Sequence, residues 1–321
     1  MEHMPLRERL MSGLRADSRR GSSRPPGRPW LAGAAAAAGA VSLAAAAAAI
    51  SVSLLGQSAG PGAQSPSALA AAVGHAEAVQ LLIRASNSAA RERPVTASGH
   101  QFAYSESVVS FGPQGGGPAS LQTHLRQIWT PTADLCADGL LIEYGKSYRL
   151  TQPQPSGPTA PRCPDPGQLN DPTIRLLRSL PTRPEDLLKL VSRASIPGLT
   201  ADAVAWNTIT SILRQPIVPP EASAALFRAA ALLPETTLVP RNYDAVGRPG
   251  PAVLFTFGNL QLEWVFDAHT FRMLGELDFA NGTLTGESTT VERAIVSHAG
   301  EVPSGSVPPS SVPAGSLPYG S

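Results

Sequence analysis

The stretch GLLIEYGKS, residues 139–147, is the closest this sequence comes to a phosphate-binding loop. That loop needs G-x-x-x-x-G-K-[ST], so that backbone N–H groups cradle the phosphates and a helix starts at the lysine. Counting back from Gly145, the first glycine belongs at position 140, where Leu140 stands. Leu140, Ile142 and Tyr144 alternate with Leu141 and Glu143, and Ser147, Tyr148, Arg149 and Leu150 continue the alternation. A period of two in bulky side chains describes a pleated strand rather than an open nest. The stretch therefore predicts a β-hairpin turning near Gly145, with no nucleotide site. Gly56-Gln57-Ser58-Ala59-Gly60 spells the nucleophile elbow G-x-S-x-G. That elbow works only where a buried strand turns into a helix, and here small residues flank it on both sides, so we read it as coincidence.

The six histidines, His3, His75, His100, His124, His269 and His298, match none of the zinc or metalloprotease spacings. Each reads as an isolated surface or turn residue. Asp267 and His269 are close in sequence, but neighbouring strand or turn positions point apart. Glu185 and Asp186 belong in the first turn of a helix, where the helix dipole accounts for them. No catalytic set, cofactor or metal is expected, and the chain reads as non-enzymatic. Cys136 and Cys163 are the two cysteines, with 26 residues between them. In an oxidising compartment they form a disulfide, which stabilises by about 3–4 kcal/mol on the chain-entropy account. Free buried thiols are the alternative.

The compartment follows from the front of the chain. Residues 31–55 are 25 residues without a charge. As a helix they span about 37 Å, more than the roughly 30 Å hydrocarbon core of a bilayer. Residues 1–30 carry seven arginines against Glu2, Glu8 and Asp17, while the remaining residues carry 18 basic and 21 acidic side chains. This asymmetry places the N-terminus in the cytoplasm and the main domain outside. A cleaved signal peptide competes, since Ser58-Ala59-Gly60 offers small residues, but the apolar run exceeds the roughly 7–15 residues of a signal core. A buried Ala-rich core helix is a third reading. The formal net charge of +1 gives no polyanion signal, so nucleic acid is not an expected partner. Leu6, Leu10 and Leu14 lie at helical spacing among the arginines. They suit a short amphipathic helix for a protein partner or for anionic lipid, against the plainer reading of a topogenic basic arm.

Beyond a linker at 56–64, Pro66 opens a helix to about residue 86, with Leu69, Val73, Ala76 and Leu82 or Ile83 as its apolar stripe. Residues 101–111 and 121–130 read as strands, and the hairpin at 139–150 continues their sheet. Residues 151–172 are proline-rich and read as loop. Thr182-Arg183-Pro184-Glu185 reads as a capping box, with Leu187, Leu188 and Val191 facing inward. Thr200 starts a helix carrying Trp206, Ile209 and Leu213. Pro219-Pro220 opens another, carrying Leu226, Phe227, Ala230 and Leu233. Strands return around a turn at 247–250 and a tight Gly258-Asn259 turn, followed by Leu262, Trp264 and Phe266 in alternation. Residues 271–279 and 290–296 add two more strands. From 302 to 321, 14 of 20 residues are Pro, Ser or Gly, which predicts a disordered tail.

The segments LPTRPEDLLKLV, TITSILRQPIVPPEASAALFRAAALLP, DAVGRPGPAV and LEWVFDAHTFRMLGE resemble an actinobacterial family of uncharacterised single-pass membrane proteins encoded beside extracytoplasmic-function sigma factors. The resemblance runs over about residues 5–280. Ala268 stands where family members commonly have Pro, and the segment before the anchor is shorter than theirs. The resemblance supplies no catalytic residue and implies a part in envelope signalling or sigma-factor control.

The elements together predict an α+β fold. An N-terminal transmembrane helix precedes an extracytoplasmic domain over residues 65–301, a curved, half-barrel-like antiparallel sheet with inserted helices. Lipoprotein carriers and periplasmic regulators of anti-sigma factors share that architecture, an analogy of fold that assigns no function. The expected function is a membrane-anchored extracytoplasmic sensor or interaction protein. The alternative is a carrier of an apolar, lipid-like ligand under the sheet. Thiol labelling of intact cells checks orientation and pairing together. Cys136 and Cys163 are expected to react with a membrane-impermeant maleimide only after reductant is added; labelling that requires lysis would sink the topology.

Overall fold

Among the described residues, nine strands form one antiparallel sheet in two meanders. The first comprises β1 (Phe102–Phe111), β2 (Gln122–Pro131), β3 (Gly139–Glu143) and β4 (Lys146–Leu150). The second comprises β5 (Thr236–Tyr243), β6 (Pro249–Phe257), β7 (Leu260–Phe266), β8 (Met273–Ala280) and β9 (Thr283–Val296). Strand β9 pairs with β1, which gives the order β4-β3-β2-β1-β9-β8-β7-β6-β5. The sheet does not close, so β4 and β5 are its edges. This computed structural model describes residues 66–97, 99–111, 122–132, 137–150, 168–169 and 172–304. The expected arm 1–30 with Leu6, Leu10 and Leu14, the apolar segment 31–55, the linker 56–64 and both Cys136 and Cys163 lie outside the described residues. Among the described residues, no helix is long and apolar enough to cross a membrane.

Among the described residues, five helices accompany the sheet: α1 (Pro66–Ala89), α2 (Ile174–Arg178), α3 (Pro184–Val191), α4 (Ala201–Leu213) and α5 (Pro220–Ala230). The last four are inserted between the two meanders. Proline decides where two of them begin. Pro184 and Pro220 take the first helical position, where a missing N–H costs nothing. The capping box expected at Thr182–Glu185 does not form. Arg183 occupies the N-cap without a side-chain bond. A residue before proline is excluded from helical backbone angles, and this moves the cap from Thr182 to Arg183. Thr200 does cap α4, its hydroxyl accepting from the Ala203 N–H at 3.2 Å. The five-residue α2 was not expected from the proline-rich run before it.

The stripe of α1 also differs from its expected phase. Val73 is 50 % exposed, and the buried residues are Ala78, Leu81, Leu82, Ala85, Ser86 and Ala89. Alanine is apolar at every position of this helix, so composition alone leaves the inward face open. Its partner chooses it. Ala222, Ala225 and Ala229 of α5 are buried, small residues let the two helices approach, and the Ser86 hydroxyl donates to the Ala224 carbonyl at 2.9 Å.

The core lies between these helices and one half of the sheet. Val253 and Phe255 of β6 and Leu262, Trp264 and Phe266 of β7 face the helices. Ala252 and Val265 face the other way. Both sides of β7 are buried from Leu262 to Phe266. Trp206 of α4 stacks on Trp264 at 3.8 Å between ring centroids and on Phe255 at 5.1 Å. Phe227 of α5 meets Trp264 edge-on at 6.2 Å. The Trp264 indole N–H donates to Thr210 Oγ1 at 3.0 Å, and that hydroxyl donates to the Trp206 carbonyl at 2.8 Å. The Trp264 indole and the Thr210 hydroxyl are therefore both partnered, as buried polar groups require. At the far end of β6, Gly250 runs so close to β7 that a Cβ would sit 1.7 Å from the Phe266 carbonyl oxygen. No other residue fits there.

Trp264→Ala is expected to lower the free energy of unfolding by about 3–5 kcal/mol, because the stack and the indole hydrogen bond go together. Urea titration of the full chain followed by circular dichroism measures it. A loss under about 1 kcal/mol would show that the stack is not the centre of the core.

Candidate functional site

The helix-facing side changes character at β8. Past β7 its inward residues include Glu276 and Asp278, then Ser288 on β9, Ser105, Ser107 and the apolar Val109 on β1, and His124, Arg126 and Ile128 on β2. Arg214, the residue that caps the C-terminus of α4, reaches this seam and meets Glu276 Oε1 at 3.0 Å. Burial pushes both carboxyls up, against the pull of Arg214. Asp278 goes to about 8, helped by the neighbouring charge of Glu276. Because Arg214 touches Glu276 directly, Glu276 is the member that ionises first and Asp278 the one that keeps its proton.

Farther along the same side, the β3–β4 hairpin is held by an ionic knot. Glu143 Oε1 accepts from His124 Nε2 at 2.8 Å and from Arg126 Nε at 2.8 Å. Burial pushes the Glu143 carboxyl up, but the bond from His124 and the charge of Arg126 outweigh it and leave it below its usual range. The hairpin turns at Tyr144 and Gly145 with φ of +53° and +69°. Two consecutive left-handed residues are the signature of a type I′ turn, which favours Asn-Gly. Tyrosine at the first position is uncommon and costs on the order of 1–3 kcal/mol. The Tyr144 ring lies stacked on His124, 3.8 Å between centroids and 27° between planes, which offsets part of that strain. The expected hairpin is therefore present. The reading of His124 as a surface or turn residue is not: it is 2 % exposed on a strand and tied to Glu143. Its signal was the alternation of His124 and Arg126, which reveals a shared partner only once β2 is known to pair with β3.

Strand β4, at the edge, is exposed along its whole length. Lys146, Tyr148 and Leu150 share the side of Glu143 and Leu141, and Ser147 and Arg149 share the other. Arg149 pairs with Asp138.

On the opposite side of the sheet, Glu106 Oε2 accepts from the Tyr104 hydroxyl at 2.6 Å and from Gln127 at 2.7 Å, with Glu106 fully buried. Trp129 packs on Tyr104 at 5.1 Å, and its indole N–H donates to the Glu301 carbonyl at 2.6 Å. Val302, expected to begin the disordered tail, packs on this cluster instead; residues from 305 lie outside those described. The loop between β5 and β6 also reaches this side. Asp244 is buried and accepts from Arg248, while the Ala245 N–H donates to Thr289 Oγ1 at 2.9 Å. A flat sheet would set β6 about 14 Å from β9, so this loop sweeps across β7 and β8.

The other expected positions are quickly placed. Asp267 Oδ1 accepts from the N–H groups of His269 and Thr270 and shapes a turn. His75 sits 3.0 Å from Thr236 Oγ1 and ties α1 to β5. Among the described residues, no three His, Cys, Asp or Glu side chains cluster to hold a metal. The layer under the helices, where an apolar ligand was expected as the alternative, holds Trp206, Trp264, Phe255, Phe227 and Phe266.

No protein-family model and no curated protein sequence matches the chain. Among solved structures, the complex of MucA and MucB from Pseudomonas aeruginosa is similar at 12 % identity and a TM-score of 0.27, over 68 % of this chain and 57 % of that one. MucB alone is similar at 12 % identity and a TM-score of 0.27, over 71 % and 60 %. The chain thus spans about three fifths of the length of these structures, and at such scores the likeness adds nothing to the geometry above.

Asp278 makes the stability depend on pH in a defined direction. Its folded value of about 8 lies above its ordinary 3.8, so the folded chain holds a proton that the unfolded chain releases. Its contribution is full below about pH 4 and is lost as pH rises toward about 8. Asp278→Asn is expected to flatten that part of a urea-denaturation profile and to exceed wild type in stability at pH 8. Parallel profiles for the two proteins would refute the half-buried, protonated Asp278.

Proposed function

We propose that this chain is a non-enzymatic, membrane-anchored extracytoplasmic sensor or interaction protein that acts in envelope signalling linked to sigma-factor control. The observation that carries the interaction reading is the open sheet. Its helix-covered layer is filled by the chain's own aromatic side chains, while β4 presents an exposed edge. A filled interior and a bare rim suit a surface that meets another polypeptide better than a chamber that holds a ligand or a reaction. The polar groups brought together also bind each other: Glu143 Oε1 accepts from both His124 and Arg126. The envelope setting rests on the uncharged 31–55 segment behind an arginine-rich arm and on the resemblance carried by the 180–191, 208–234 and 262–276 segments.

Chemical crosslinking in native membranes, followed by pull-down of the tagged full chain and mass spectrometry, tests this. One envelope or sigma-factor-associated protein is expected to be enriched over an unrelated single-pass control. A profile indistinguishable from that control would remove the proposal.

A further inference from the structure

We infer that strand β4 is a docking edge for an extended, carboxylate-bearing polypeptide segment, which adds to the sheet as a tenth strand; this rests on the interaction reading above. The hairpin geometry says which backbone groups are on offer. In a two-residue hairpin the residues flanking the turn form a hydrogen-bonded pair, and bonded pairs then recur at every second residue. Glu143 pairs with Lys146, Leu141 with Tyr148 and Gly139 with Leu150. Lys146, Tyr148 and Leu150 therefore direct their N–H and C=O groups at β3, and Ser147 and Arg149 direct theirs outward. Two donors and two acceptors line the free edge, spaced as an incoming strand requires.

Side chains define the partner. Of the seven large hydrophobic residues exposed among the described residues, three, Tyr144, Tyr148 and Leu150, lie in this one hairpin. Tyr148 is 45 % exposed and Leu150 36 %. Lys146 stands on the same side and has no ion-pair partner among the described residues; it is one of two lysines in the chain. The carboxylate across from it, Glu143, is already bound to His124 and Arg126. Strand β4 has two cations and no acid. Lysine on an edge strand discourages pairing with a second copy, because like charges meet along the ladder. The same lysine favours a strand that brings a carboxylate to it and apolar side chains to Tyr148 and Leu150. The knot of His124, Arg126 and Glu143 and the stack of Tyr144 fix the hairpin in advance, which lowers the ordering cost of docking.

The test is fluorescence anisotropy with a labelled heptapeptide of alternating valine and glutamate, titrated onto the full chain in detergent micelles at low salt. Saturable binding is expected, with no binding of the matching valine–lysine peptide. Ser147→Pro removes an outward N–H and leaves the β3 ladder intact, as proline on an edge strand does. It is expected to weaken binding by at least about tenfold, with an unchanged circular dichroism spectrum. Lys146→Glu is expected to reverse the preference between the two peptides, an outcome that misfolding cannot mimic. Wild-type binding that Ser147→Pro leaves within about twofold overturns the edge, as does absence of saturable binding up to about 1 mM peptide. So does a dimer, seen by sedimentation, that Ser147→Pro dissolves, because a second copy would then be the occupant. The crosslinking experiment separates this inference from the reading beneath it. A partner recovered equally by wild type and Ser147→Pro removes the docking edge alone. Peptide binding that obeys the edge beside a failed crosslink removes the envelope reading alone.

Discussion

The stack of Trp206 on Trp264 commits the helices to one half of the sheet. Two indoles at 3.8 Å, with Phe255 and Phe227 against them, form a buried aromatic contact between α4, α5 and the strands β6 and β7. Thr210 takes the indole hydrogen of Trp264, so the arrangement is directional as well as apolar. α5 and α1 meet through their alanine faces, α1 also rests on β5 through His75 and Thr236, and α4 ends at Arg214. That residue meets Glu276. The edge of the apolar core is thus marked by an ion pair, and the sheet beyond it must manage its surface by other means.

Those means are electrostatic. From β8 to β3 the helix side carries Glu276, Asp278, Ser288, Thr290, Ser105, Ser107, Arg126, His124 and Glu143, with Val109, Ile128 and Leu141 among them. Carboxylates and cations that would be costly alone are placed to face one another. Asp278 is the exception, and it avoids the cost by holding its proton. The far side is closed differently, with Trp129 and Tyr104 under the Glu301–Val302 segment and the Asp244 loop swept over to Thr289. Strand β9 belongs to both regimes, since it pairs with β8 on one side and β1 on the other.

The hairpin at the rim is the place where local preference and tertiary structure disagree. Tyr144 takes a backbone conformation that glycine or asparagine would adopt more easily. It is held there by His124 beneath its ring and by Glu143 clamped between His124 and Arg126. Strain kept by surrounding contacts is more often found at a working surface than in a spacer. Beside it β4 is a short, cationic edge, which is how sheets avoid pairing with themselves.

Much of the order of elements was legible from residue patterns. Alternation at Leu262, Trp264 and Phe266, the hairpin around Gly145, the cap at Thr200 and the prolines that open α3 and α5 are local signals. Steric and hydrogen-bonding rules make them readable within a few residues. The inward phase of α1 was not legible, because alanine gives no contrast until α5 lies against it. The cap of α3 moved because proline constrains the residue before it. The role of His124 was hidden for a different reason. Its partner Glu143 is 19 positions away, and only the register of β2 against β3 brings them together. By itself the sequence determined most of the strands and helices, the short α2 excepted, since those choices depend on side-chain period and turn chemistry. The tertiary structure alone decided which carboxylates meet which cations and which strand is left at the edge, because these follow from pairing between segments remote in the chain.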